Sequence, residues 1–276
     1  MSTTTQRPTD LEAVKQRQQA TWASGDYSAV ATLVVPVAEH LVDLADLQAG
    51  SRVLDVATGS GNAALAAARL GCDVVGIDYV DALLDRGRER AAAEHLAIDL
   101  RPGDAEDLPF ADASFDAVLS VFGSMFAPDH DQTAREITRV TRPGGTIALA
   151  SWTPDGFLGR LFRTVAQYAP PPRGISSPML WGDADHLASL FGPAVRWTHT
   201  TETFTFRFPS AEAFVDYFSI HYGPTLKALA AAGDQASELT AALIELARTG
   251  NRLADTGPVA IPATYLASVG TREVAH

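Results

Sequence analysis

Val53-Leu54-Asp55-Val56-Ala57-Thr58-Gly59-Ser60-Gly61-Asn62 reads as a buried strand that runs straight into a Gly-x-Gly turn and then into a helix. Such a turn needs glycine because the backbone doubles back tightly and a ligand must approach with no Cβ in its way. The helix start behind it offers unpaired N–H groups and a partial positive charge to a carboxylate or phosphate. Asp78 ends the next strand, 19 residues after Gly59, and its carboxylate can accept two hydrogen bonds from a ribose diol. A ligand-free turn with Asp78 merely capping the following helix has the same local pattern. Turn and acid together at this spacing favour an adenosine-bearing cofactor.

Working outward, short β-branched runs alternate with alanine-rich stretches. Residues 52–57, 73–77, 97–101, 115–121 and 145–151 fit strands, and residues 62–70, 81–95 and 129–141 fit helices, with Asp81 expected as an N-cap. Strands separated by helices imply right-handed βαβ units and a parallel sheet. Residues 10–48 read as two or three helices broken at Gly25-Asp26. Pro170, Pro171, Pro172 and Pro178 make residues 169–178 a loop. Residues 195–208 alternate Thr201, Thr203 and Thr205 with Phe204, Phe206 and Phe208 and fit a strand; residues 210–254 turn helical, and residues 259–270 form a last strand.

The expected architecture is therefore α/β: a Rossmann-like, doubly wound, mostly parallel seven-stranded sheet. Residues 1–50 would form an N-terminal helical flap, 51–208 the sheet core, 209–256 a helical cap inserted between the last two strands, and 257–276 the last strand. An insertion of that size at a sheet edge builds a substrate wall.

Composition narrows the partners. The 276 residues are 46% hydrophobic and 20% charged, as in an ordinary globular protein. With 21 basic and 33 acidic residues the net charge is −12, and only two lysines occur, Lys15 and Lys227. So acidic a surface repels phosphate backbones, which argues against a nucleic-acid partner. One cysteine, Cys72, makes neither an intrachain disulfide nor a Cys-based zinc site, and His130, His186 and His199 show no ligand spacing, so no metal is expected. Residues 1–10 are polar without an apolar h-region, and no apolar run reaches the length of about 18 residues that spans a bilayer. The expectation is a cytoplasmic protein with a small-molecule substrate and no membrane partner; a homodimer stays open.

Gly59-Ser60-Gly61-Asn62-Ala63-Ala64 also fits the nicotinamide-dinucleotide fingerprint G-x-G-x-x-A, so other segments must choose the cofactor. Asp55-x-Ala57-x-Gly59-x-Gly61 resembles the first motif of class I S-adenosylmethionine-dependent methyltransferases. Asp104-Ala105-Glu106-Asp107-Leu108-Pro109-Phe110 with Ser114-Phe115-Asp116, and Arg142-Pro143-Gly144-Gly145, resemble the segments before their fourth and fifth strands. The whole is most similar to the UbiE-like small-molecule group, including members with a segment like Trp22-Ala23-Ser24-Gly25-Asp26-Tyr27. The resemblance covers residues 20–155 well and the remainder in outline. It implies S-adenosylmethionine (SAM) as cofactor and assigns roles. Gly59 and Gly61 would line the methionine moiety, and Asp55 and Ala57 receive its amino group. Asp78 would bind the ribose, Tyr79 pack on the adenine, and Asp104 with Ala105 meet its amine. Ser120 and Met125 would lie at the methionine end, with Trp22 and Tyr27 on a flap over the cofactor; the same Trp22 also fits a helix-docking residue.

The activity implied is methyl transfer to O, N or C of a small aromatic or apolar metabolite. The alternatives are a SAM-binding protein that transfers no methyl, such as a cyclisation catalyst or regulator, and an NAD(P)-dependent oxidoreductase. The last would need a pair such as Tyr-x-x-x-Lys, which neither lysine provides. Acceptor-facing candidates are Trp152, Trp181, Tyr217, Phe218 and Tyr222, with His221 as a catalytic base because its ordinary pKa lies near 6.5. His221 equally fits a helix terminus, and the 217–222 stripe equally fits core packing.

Overall fold

The computed structural model describes residues 11–253 and 257–274. The polar N-terminal stretch 1–10, expected to carry no signal, and residues 254–256 and 275–276 of the cap and last-strand segments, lie outside the described residues. Three helices come first: α1 (Leu11–Trp22), α2 (Tyr27–Leu33) and α3 (Val35–Leu44). The chain then alternates through β1 (Arg52–Val56), α4 (Asn62–Arg69), β2 (Asp73–Asp78), α5 (Asp81–Ala93), β3 (Ile98–Pro102), β4 (Phe115–Val121), α6 (His130–Val140) and β5 (Thr141–Trp152). After α7 (Phe157–Tyr168) and α8 (Ala184–Phe191) come β6 (Val195–Phe208), the helices α9 (Ala211–His221), α10 (Gly223–Ala232) and α11 (Ala236–Thr249), and β7 (Val259–Arg272).

The seven strands form one sheet in the order β3-β2-β1-β4-β5-β7-β6. Neighbours from β3 to β5 pair in parallel, and β7 runs antiparallel to both β5 and β6. Val53, Leu54, Val118, Leu119, Ile147 and Ala148 are fully buried, as befits central strands covered by helices on both faces. α4 carries mostly alanine, which lets it lie close against the sheet and α3. Strand order reverses between β1 and β4, the switch point at whose carboxyl edge open α/β sheets hold ligands.

Two local expectations change. Asp81 is the first helical residue of α5, not its cap; Val80 takes the cap position and donates its N–H to Asp78. The Arg142-Pro143-Gly144-Gly145 turn is absorbed into β5 as a slip in its pairing with β4, between Phe115↔Thr141 and Ala117↔Thr146.

The flap and the inserted helices grip each other. Asp26 N donates to His221 O (3.1 Å), and Tyr217 Oη donates to Ala29 O (2.9 Å). At Gly223 a Cβ would fall 2.0 Å from Thr21 O, so only glycine lets α10 approach the end of α1 so closely. Among the described residues no single helix is long and apolar enough to cross a membrane.

The long connection from β3 to β4 is pinned by α6. Glu136 accepts from Leu108 N (2.8 Å), while Arg139 donates to Leu108 O (2.9 Å) and Phe110 O (2.7 Å) and pairs with Glu136 and Asp112. Arg139→Met should strand both carbonyls and the buried Glu136, costing about 2–3 kcal/mol. A fall in the urea midpoint at constant m reads this out; an unchanged midpoint would mean the connection is held without the guanidinium.

Candidate functional site

The Gly-x-Gly turn is shaped from three directions. Gly59 and Gly61 sit at φ +55° and +86°, the left-handed region that favours glycine. Asp78 accepts from Gly59 N (2.9 Å) with one carboxylate oxygen and from Val80 N (2.9 Å) with the other, so it anchors the turn as well as facing the cleft. Asn62 donates to Ala31 O (2.8 Å) and accepts from Arg90 Nη1 (2.7 Å), which also reaches Ser60 O (2.7 Å), tying the turn to α2 and α5. Beneath it, one oxygen of Asp55 accepts both Thr58 Oγ1 (2.6 Å) and Ala64 N (3.0 Å).

Asp55 and Asp78 are 2% and 8% exposed, and neither has an ion-pair partner among the described residues. Burial pushes the Asp55 carboxyl up to about 7, its two hydrogen bonds only partly opposing this and nearby Asp78 adding to it. Burial likewise pushes Asp78 up to about 6 against the pull of its backbone donors. A carboxyl with a native pKa above its unfolded value binds more protons when folded, so native stability falls as pH rises between the two values. For these groups the window runs from about 4 to 7. The ligand-free site is thus electrostatically costly at neutral pH, the condition of a cleft built for a cation or several donors.

At the two strand ends that border the cleft, non-glycine residues hold left-handed backbone: Ala57 (φ +53°) after β1 and Phe122 (φ +52°) after β4. Such conformations cost about 1–3 kcal/mol each and persist where the surroundings enforce them. Phe122 is held by Trp152, its ring stacked at 3.7 Å and 5°.

These loop ends open onto a cleft of about 930 Å³, part of it in open solvent. Of the residues expected to meet the cofactor, Trp22, Tyr27, Asp55, Ala57, Gly59, Asp78, Tyr79, Asp104 and Ala105 line it. Gly61, Ser120 and Met125 do not. Gly61 caps α4 from below the turn, Ser120 Oγ donates to Val56 O (2.8 Å) and accepts Ser124 N (2.9 Å), and Met125 is packed in the core. Lys15 lines the cleft as well, its Nζ 2.6 Å from Asp104 Oδ2 and 2.7 Å from Glu106 Oε2. Sequence alone offers only one pointer to it, the scarcity of lysine.

Tyr27, Val34, Phe122 and Phe126 also line a second chamber of about 330 Å³, part of it in open solvent, completed by Val30, Trp152, Leu158, Phe206, Phe218 and Tyr222. The 217–222 stripe is split between two helix rows. Phe218 and Tyr222 face this chamber, whereas Tyr217 and His221 lie on the next row, turned to α2 with rings 4.6 Å apart. Trp181 is fully buried against His130 and Phe191, away from both cavities. No Asp, Glu, His, Lys or Cys borders the chamber; its polar side-chain atoms are the hydroxyls of Tyr27 and Tyr222 and the Trp152 indole N–H. Burial raises both phenols above their ordinary pKa, so they are neutral hydrogen-bond donors at physiological pH.

Comparison with known proteins agrees with this geometry. Residues 54–149 match the family described as "Methyltransferase domain". A Mycobacterium tuberculosis protein described as uncharacterized is 44% identical over 236 residues, covering 83% of this chain and 86% of its own length. The demethylmenaquinone methyltransferase of Deinococcus radiodurans is 41% identical over 127 residues, 45% of this chain and 53% of that one. Among solved structures, the YcgJ protein of Bacillus subtilis superposes with a TM-score of 0.60 at 17% identity, over 86% of this chain and 98% of its own, a likeness of fold. The chain belongs to the class I SAM-dependent methyltransferases, in their UbiE-like group.

Proposed function

We propose that the protein binds SAM in the switch-point cleft and transfers its methyl group to a small apolar or aromatic acceptor held in the adjoining chamber. The observation that carries this reading is the junction itself. Tyr27, Val34, Phe122 and Phe126 are shared by a polar, carboxylate-bearing cleft and an apolar chamber, so two ligands of opposite character would meet there.

The residues fit the cofactor. Asp55 and Asp78 offer buried acceptors for an ammonium and a ribose diol, and the Gly59 turn leaves room for close approach beneath the Tyr27 ring, 3.7 Å from where a Cβ would stand. SAM supplies an activated methyl group on a sulfonium. The chain's own contribution is to hold the acceptor in line and to keep water away, and orientation alone contributes about 7–11 kcal/mol in well-aligned cases. With neutral phenols as the nearest titratable groups, the chamber favours an acceptor that needs no side-chain base, its polar atom taking a hydrogen bond from Tyr27 or Tyr222. His221 is not retained as that base, since it lies outside the chamber's lining.

Calorimetry should give micromolar binding of SAM and S-adenosylhomocysteine (SAH) and none of NADH or NADPH; preferential dinucleotide binding would reverse the assignment. With a panel of hydroxylated and aminated aromatic compounds and methyl-labelled SAM, Phe218→Ala should change acceptor kcat/KM tenfold or more while SAH affinity stays within about twofold. Unaltered acceptor kinetics would place the acceptor elsewhere.

Asp55→Asn keeps one oxygen for Thr58 and Ala64 while removing the buried charge. The ligand-free variant should therefore melt higher than wild type at pH 8, with the gap closing toward pH 5, and should bind SAH more weakly. A gap that does not narrow on acidification would mean that Asp55 is not the titrating group.

A further inference from the structure

α1 covers the cleft without the means that usually hold a helix in place. Only Val14 among its residues is buried, so little apolar surface is withdrawn from water. Its C-terminal end is fixed by ring contacts, Trp22 lying edge-on to Phe126 (4.8 Å), Tyr27 (5.2 Å) and Tyr222 (5.6 Å). The rest is fixed by polar pins. Gln19 Nε2 donates to Tyr79 O (2.5 Å), and Lys15 bridges Asp104 and Glu106. Lys15 and Trp22 are two turns apart, about 10 Å along one helix face, and both line the cleft. α1 thus roofs the cleft from Asp104 at one end to Tyr27 at the other.

The carboxylates that Lys15 bridges need it. Asp104 and Glu106 are two residues apart, and the Glu106 side chain is 5% exposed, so their repulsion is weakly screened. Glu106 is committed to Asp129 N (2.7 Å), and one oxygen of Asp104 to Glu106 N (2.9 Å). The ammonium occupies the remaining oxygen of each with two of its three N–H groups.

We propose that Lys15 is a cofactor-retaining residue: its ammonium clamps α1 onto the Asp104–Glu106 wall and closes the cleft over the adenosine end of the bound cofactor. This rests on the reading of the cleft as a SAM site. A ligand seated beneath α1 leaves only when the clamp breaks, so Lys15 acts chiefly on the dissociation rate. Held by an ion pair at the cleft mouth, the clamp weakens with salt.

Wild type, Lys15→Met and Lys15→Arg are compared by SAH calorimetry, by stopped-flow SAH dissociation, and by hydrogen exchange over residues 11–22. Lys15→Met keeps most of the stem and loses the charge. It should weaken SAH binding tenfold or more, mainly through faster dissociation, and abolish the SAH-induced protection of α1. Lys15→Arg should stay within about threefold of wild type. Between about 50 and 500 mM salt wild-type affinity should fall and that of Lys15→Met should not. Lys15→Met affinity within about twofold of wild type, or persistent protection of α1, would overturn the clamp and leave Lys15 a structural staple. Failure of wild type to bind SAH at all would instead overturn the cofactor assignment, and the clamp with it.

Discussion

The Asp78 carboxylate, fixed at the end of β2, accepts the Gly59 N–H across the mouth of the sheet, and most of the site inherits its geometry from that bond. It sets where the Gly-x-Gly turn lies relative to β2, and therefore where α4 begins and how the cleft is floored. Its second oxygen takes the Val80 N–H and starts α5, which in turn carries Arg90 back to Ser60 and Asn62. One side chain thereby couples two successive βα connections at the switch point. The same bonds leave the carboxylate with spare lone pairs facing the cleft, so holding the turn and receiving a ligand are compatible duties.

The site is expensive in its ligand-free form. Asp55 and Asp78 are buried near one another without a counter-charge, and Ala57 and Phe122 hold backbone conformations that other residues avoid. The remainder of the sheet offsets this through its continuous apolar centre and the helices that cover it. Such a division, strain and charge at the loop ends with conventional packing beneath, is what an adaptable ligand site on a rigid scaffold requires.

Much of this is legible in the sequence. The run from Val53 to Asn62 and the acid at position 78 announce themselves because each answers a local demand: positive φ, close approach, a carboxylate at a strand end. Tyr217, Phe218, His221 and Tyr222 read as one helix face, of which only Phe218 and Tyr222 meet the chamber. What could not be read depends on partners far along the chain. Lys15 meets Asp104 across 89 residues, and nothing local distinguishes it from a solvated lysine. Tyr217 turns to α2, where Ala29 O accepts its hydroxyl, a fact of tertiary packing that helical periodicity leaves open. Asp81 fits a cap in sequence, but Asp78, three residues earlier, takes the Val80 N–H at the helix start. Left-handed backbone at Phe122 has no sequence mark, since its partners, the Trp152 ring and the Ala150 carbonyl, come from β5.

The grip between the flap and the inserted helices has a consequence for how the molecule is made. Thr21, Asp26 and Ala29 meet Gly223, His221 and Tyr217, roughly two hundred residues later in the chain. During synthesis the central strands can pair and bury their apolar faces well before α9 and α10 have left the ribosome. The end of α1 and the start of α2 wait through most of translation for the partners that α9 and α10 supply, since contacts so distant in sequence form late and slowly, whereas α3 can already pack on α4 and the sheet. Until then the carboxylate-lined cleft lacks one end of its roof, and the nascent chain leaves a ligand a route in that the finished fold narrows.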